Sequence, residues 1–129
     1  MRKSYIVSAK RTAIGSFLGG LATVKPKDMG SAVVKALLED ANVAPENVDE
    51  VICGNVLGAG LGQNIGRTIA LEAGIPETVC AHSVNMVCGS GLRTVMEAVM
   101  SIQCGFNDIV VAGGVESMSG APYLIPANT

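Results

Sequence analysis

Residues 79–113 read VCAHSVNMVCGSGLRTVMEAVMSIQCGFNDIVVAG, and this stretch decides the fold. Val79–Val84 is a short apolar run of strand length. Cys88–Cys104 carries Leu92, Val95, Met96, Val99 and Met100 at the spacing of one helical stripe. Arg93 and Glu97 stand four residues apart, where they can pair on a helix surface, and Gly105 offers a C-terminal stop. Asp108–Gly113 then reads as another strand. A strand, a crossover helix and a strand predict parallel pairing.

The same alternation extends toward the N-terminus. Tyr5–Ala9 reads as a first strand and Ile14–Lys27 as a glycine-containing connection. A helix is expected from Asp28, a good N-cap, with Met29, Ala32, Val33, Ala36 and Leu37 as its apolar stripe. Val51–Val56 reads as a buried strand, followed by Gly58, Gly60 and Gly62. Asn64–Ala73 reads as a helix that Gly74 ends, although Gly66 inside it costs about 1 kcal/mol relative to Ala. Four strands alternating with helices predict an α/β fold with a mostly parallel sheet. Residues 1–129 form one domain.

Composition narrows the function. Hydrophobic residues make up 49% of the 129 and the net charge is −2. That combination excludes a disordered chain and gives no electrostatic footprint for nucleic acid. Charged residues are only 16%, against about 25% in an ordinary soluble domain. So little charge on so short a chain predicts a permanent partner or a missing second half. The longest apolar runs, such as Ile109–Val115, are far too short to span a membrane. Basic residues precede the first acidic one, Asp28, which superficially resembles an organelle transit peptide; the strand pattern at Tyr5-Ile6-Val7 argues against that reading. The four cysteines show no C-x-x-C spacing, and His82 is the one histidine, so no metal site is expected. Reduced thiols in a reducing compartment, the cytoplasm with an organelle matrix left open, fit this usage.

Cys88 carries the most chemical information. It follows a strand and opens a helix, whose free N–H groups and partial positive charge favour a thiolate. Gly89 and Gly91 keep bulk away from the sulfur, and backbone N–H groups there could hold an oxyanion. By position alone, Cys88 is either a nucleophile or a small apolar residue filling a corner. His82 lies on a strand and is read as a core or interface residue rather than as the base for Cys88. Cys53, Cys80, Cys104, Met96 and Met100 are read as core. Gly58-Ala59-Gly60-Leu61-Gly62 lacks the G-x-G-x-x-G spacing and a suitably placed acid, so no dinucleotide site is expected.

Several ordered segments resemble one family. Val84-Asn85-Met86-Val87-Cys88-Gly89-Ser90-Gly91-Leu92-Arg93-Thr94-Val95 is similar to the nucleophile signature of thiolases. Arg11-Thr12-Ala13-Ile14-Gly15-Ser16-Phe17 resembles their opening motif. Gly54-Asn55-Val56-Leu57 with Gly60-Leu61-Gly62-Gln63-Asn64 resembles their second strand and loop. Gly113-Gly114-Val115-Glu116-Ser117-Met118-Ser119 resembles the segment after their fourth strand.

The resemblance implies a three-layer α/β/α fold and a partial N-terminal half, without the coenzyme A-binding insertion, the last strand of that half or the C-terminal half. It implies acetyl-CoA C-acetyltransferase chemistry in the complete enzyme. Cys88 takes acetyl from acetyl-CoA, and Claisen condensation with a second acetyl-CoA gives acetoacetyl-CoA; thiolysis is the reverse. The Cys88 N–H contributes to the oxyanion hole next to Gly89, and Glu116 and Met118 line the pocket. Coenzyme A thioesters are substrates, and no cofactor is implied. The activating histidine and the second cysteine belong to the other half, so the isolated chain is expected to be inactive. The strand Val79, Cys80, Ala81, His82, Ser83 and Val84 would pair with its two-fold mate in a homodimer or dimer of dimers. A ketoacyl synthase relative and a non-catalytic assembly module with the same fold are the alternatives.

Overall fold

The computed structural model describes all 129 residues, Met1–Thr129. Helix α1, Pro26–Asp40, opens on a proline at a position where the missing N–H costs nothing, with Lys25 as N-cap. The start expected at Asp28 is therefore late: Asp28 sits in the first turn, where its carboxylate meets the helix dipole favourably. A single 3₁₀ turn at Pro45–Asn47 leads into strand β1, Glu50–Gly54. Helix α2, Ile65–Glu72, begins after Asn64, whose side chain accepts from the Arg67 N–H at 3.1 Å. Strand β2, Cys80–Val84, helix α3, Ser90–Gln103, and strand β3, Val110–Gly114, complete the chain order.

The sheet is parallel, in the order β2-β1-β3. Gly54 pairs with both Val84 and Gly114, so the three C-terminal strand ends lie at one edge. Adjacent residues of β1 face opposite sides. A Cβ on Gly66 of α2 would meet the Cys53 Cβ, whereas a Cβ on Gly54 would meet the backbone of Ser90 and Gly91 in α3. Helices α2 and α3 therefore cover opposite faces, and α1 lies against α2, where Gly30 approaches Ile69. This is the expected three-layer α/β/α arrangement. Its apolar core joins Val34 and Leu38 of α1, Ile69 and Ala70 of α2, and Val51 and Val111 of the sheet.

Two helical faces differ from the periodicity reading. In α3 the residues turned to the sheet are Ser90, Thr94 and Ala98. Leu92, Met96 and Met100 are 68%, 46% and 48% exposed, which corrects the reading of Met96 and Met100 as core. Small residues face inward because β1 and β3 end in glycines that bring the helix backbone close. In α1 the buried line is Ser31, Val34 and Leu38, while Ala32 and Ala36 are exposed.

Tyr5–Ala9 is not a strand. Residues 1–15 make no backbone–backbone hydrogen bond, and Tyr5, Ile6 and Val7 are exposed. Side chains hold the segment instead: Arg2 bonds Asp108, Ser8 donates to Asp40 at 2.7 Å, and Lys10 meets Asp40 at 3.2 Å. A strand needs a partner for its ladder. Between this segment and the free edge of β3 lies an apolar cleft of about 970 Å³ that reaches Met29 and Val33 of α1 and Val99 and Ile102 of α3. The sheet therefore has three strands, not four. No helix is long and apolar enough to cross a membrane.

Candidate functional site

The turn between β2 and α3 is built by its own polar groups. Asn85 accepts the Val87 N–H through Oδ1 at 2.9 Å. The Ser90 hydroxyl accepts the Met86 N–H at 2.8 Å and donates to the Val87 carbonyl at 2.6 Å. The Gly89 N–H reaches the Met86 carbonyl at 3.0 Å, and the Arg93 N–H makes the first helical bond to the Gly89 carbonyl at 2.9 Å. Val87 is driven to φ +50°, the left-handed region. For a β-branched residue this costs about 1–3 kcal/mol and persists only where surrounding bonds over-determine it.

Cys88 leaves this elbow with an exposed side chain, and Gly89, the next residue, is the N-cap of α3. The thiol therefore stands just ahead of the helix, at the sheet edge where ligands of parallel α/β folds gather. Its backbone N–H has no acceptor within the chain, leaving it available to a bound oxyanion. A Cβ on Gly89 would lie 2.7 Å from the Met86 Cε, whereas one on Gly91 would meet nothing within 4 Å. The other thiols divide differently from expectation. Cys53 is buried, and burial, helped by the Glu116 charge, pushes its thiol up to about 11. Cys80 and Cys104 are exposed rather than core: one lies on a sheet edge, and the other is the C-cap of α3.

Residues 4–129 match the thiolase N-terminal domain family. The chain belongs to the thiolase family. It is 54% identical over 127 residues to an acetyl-CoA acetyltransferase of Escherichia coli, covering 98% of this chain and 32% of that protein. It is 56% identical over 124 residues to the cytosolic acetyl-CoA acetyltransferase of Mus musculus, covering 96% and 31%. A crystal structure of Acat5 thiolase from Ascaris suum in complex with coenzyme A superposes with a TM-score of 0.95 at 40% identity, covering 98% of this chain and 33% of that one. The thiolase chain thus spans about a third of the length of these relatives.

Within this thiolase segment, the other site candidates fall in separate places. The Glu116 carboxylate accepts from the backbone N–H of Val56 at 3.0 Å and of Leu57 at 2.8 Å, and from the Asn55 amide at 3.3 Å. It braces the loop after β1. Glu116 and Met118 also border the large apolar cleft, whose lining excludes Cys88. His82 Nδ1 lies 3.2 Å from Glu50, and its Nε2 lies 3.6 Å from Glu97. Glu97 also pairs with Arg93 at 3.3 Å, as the helical spacing predicts, and Glu50 accepts from Asn107 at 2.6 Å. Both ring nitrogens of His82 are thus turned to carboxylates and not to Cys88. Sequence reading found the Arg93–Glu97 pair but not its link to His82 and Glu50, which no local spacing encodes.

The strand β2 does lie at an edge of the thiolase sheet. The Val84 carbonyl accepts the Asn55 N–H, so Cys80, His82 and Val84 turn their backbone groups toward β1, and Ala81 and Ser83 turn theirs outward. Two outward carbonyls are already occupied: Ala81 accepts from the Asn64 amide at 3.0 Å and Val79 from Arg67 at 2.9 Å. Side chains of α2 and its cap therefore cover part of an edge that carries no Lys or Pro of its own.

Proposed function

We propose that this chain is the nucleophile-bearing part of an acetyl-CoA acetyltransferase, with Cys88 as the acyl carrier. Two observations carry the reading: the chain's relatives bear that name, and its one thiol on a strained strand-to-helix elbow is Cys88. The Cys88 sulfur, as thiolate, attacks the thioester carbonyl of acetyl-CoA. The tetrahedral oxyanion collapses, the bond to the coenzyme sulfur breaks, and coenzyme A leaves as its thiol after taking a proton. A second acetyl-CoA, deprotonated at its α-carbon, then attacks the acetyl-enzyme and releases acetoacetyl-CoA with the Cys88 thiolate restored. This covalent route splits one difficult step into two easier ones. That the Cys88 N–H has no acceptor within the chain supports a role for it in holding the oxyanion.

The base that activates Cys88 and the base that deprotonates the second acetyl-CoA are assigned to residues outside these 129. His82 turns its ring nitrogens toward Glu50 and Glu97 rather than toward Cys88, and Glu116 bonds the loop after β1. The exposed stripe Leu92, Met96 and Met100 is read as the face that the rest of the enzyme covers. Dimerisation through β2 and a reducing, cytosolic setting that keeps all four cysteines as thiols complete the proposal.

The test is thiolysis of acetoacetyl-CoA by a full-length protein carrying this segment. Turnover in the ordinary enzyme range of about 1–1000 per second is expected, and Cys88→Ser should abolish it together with the acetyl adduct on the Cys88 peptide. The 129-residue chain alone should show no turnover. Full turnover by the Cys88→Ser protein refutes the reading.

A further inference from the structure

We propose that Ser90 is a positioning residue for Cys88: its buried hydroxyl holds Val87 in the left-handed backbone and so fixes the direction in which the thiol leaves the elbow. The inference rests on the reading of Cys88 as nucleophile and adds a residue that this reading leaves without a role.

Ser90 is only 4% exposed, and its hydroxyl is used in both directions, accepting from Met86 and donating to Val87. It does not act as an ordinary helix cap. Gly89 is the N-cap and Ser90 the first helical residue, so the hydroxyl reaches back into the turn rather than forward to the helix N–H groups. Its own backbone is anchored: the end of β1 comes so close that a Cβ on Gly54 would lie 2.8 Å from the Ser90 carbonyl carbon. The hydroxyl therefore works from a fixed base. Cys88, by contrast, makes no hydrogen bond through its N–H or its thiol. Its orientation depends on the backbone on either side, Val87 and Gly89. A return of Val87 from φ +50° to the negative φ that valine prefers would rotate the Cys88 Cα–Cβ bond away from its present direction. Three groups oppose that return: the Ser90 hydroxyl at the Val87 carbonyl, the Ser90 N–H at the same carbonyl at a longer 3.2 Å, and the Asn85 side chain at the Val87 N–H.

The experiment compares Ser90→Ala, Val87→Gly and the double variant in a full-length protein carrying this segment. Two quantities are read: kcat and KM for acetoacetyl-CoA thiolysis, and the rate of Cys88 alkylation by limiting iodoacetamide from pH 6 to 9. Ser90→Ala should lower kcat by about tenfold to a hundredfold with KM nearly unchanged, the loss that a misplacement of about 1 Å produces. Alkylation of Cys88 should change in parallel. Adding Val87→Gly should recover part of both, because glycine enters positive φ without strain. Glycine at 87 also relieves backbone strain and so restores stability; both rates are therefore read where thermal unfolding shows every variant fully folded, and there a loss of stability alone lowers neither. Wild-type kcat and alkylation in Ser90→Ala, or no recovery in the double variant, overturns the proposal. Should Ser90→Ala fail to fold, Ser90→Gly, which removes the same hydroxyl, carries the same test: slower alkylation that Val87→Gly restores supports the proposal, and an unchanged rate overturns it. Alkylation reads the elbow even in a protein whose Cys88→Ser variant still turns over, so failure of the nucleophile reading is told apart from failure of the positioning.

Discussion

Replacing Gly66 with alanine should destabilise the chain even though alanine is the better helix former. Gly66 lies in α2, and a Cβ there would stand 2.5 Å from the His82 carbonyl oxygen, 3.0 Å from its carbon and 3.2 Å from the Cys53 Cβ. The first two are backbone atoms of β2 and cannot rotate away. Carbon contacts settle at about 3.5–4.0 Å, so α2 must retreat by roughly 1 Å. Overpacking of this kind costs about 1–3 kcal/mol. The retreat also stretches the 2.9 Å bond from the Gly66 N–H to the Ser83 hydroxyl, worth about 1 kcal/mol. Against this, alanine returns about 1 kcal/mol of helix propensity. The net is a loss of about 1–3 kcal/mol. With a urea slope of about 1–3 kcal/mol per molar, the midpoint should fall by about 1 M. Gly91→Ala is the matched control: it too is helical, but its Cβ would enter open space, so its midpoint should hold or rise. A Gly66→Ala midpoint at or above that of the parent would refute the argument.

Other expectations can be checked separately. Limiting iodoacetamide at pH 8 should label Cys88 first and Cys53 last, because burial pushes the Cys53 thiol up to about 11 and keeps it protonated there; peptide mapping that finds Cys80 or Cys104 ahead of Cys88 would remove the special status of the elbow. Glu116→Gln removes the charge that gathers the Val56 and Leu57 N–H groups, bonds worth about 1.5–3 kcal/mol each to a charged acceptor. Amide exchange at those two positions should accelerate by about tenfold or more, while the amides of β1 stay protected; equal protection in both proteins would count against the brace. Ala81→Pro removes an outward N–H of β2 and leaves the ladder to β1 in place. Sedimentation should show a weakened dimer, and a dimer of undiminished affinity would mean that association uses another surface.

The amino-acid sequence by itself determined the alternation of strands and helices, their order and their parallel pairing. Those features rest on local signals: the apolar runs at Val51–Val56 and Val79–Val84, the cap at Asn64, the stops at Gly74 and Gly105, and the spacing of Arg93 and Glu97. The placement of Cys88 between a strand and a helix was legible for the same reason, although the helix expected to open at Cys88 begins two residues later, at Ser90. Only the tertiary structure decided which helical face is inside. Periodicity locates an apolar stripe but cannot say that glycine-ended strands will draw Ser90, Thr94 and Ala98 inward and leave Leu92, Met96 and Met100 outside. It also decided that Tyr5–Ala9 is extended without being a strand, because a ladder requires a neighbour and the adjoining space is a cleft. Gly66, a penalty when α2 is considered alone, proved to be the place where helix backbone meets strand backbone. Glu116 at the β1 loop, His82 between Glu50 and Glu97, and the Ser90 hydroxyl under Val87 depend on three-dimensional contacts: Glu116 reaches a loop about 60 residues away in sequence, whereas Ser90 lies only three residues from Val87 and acts through a backbone angle that no residue pattern reveals.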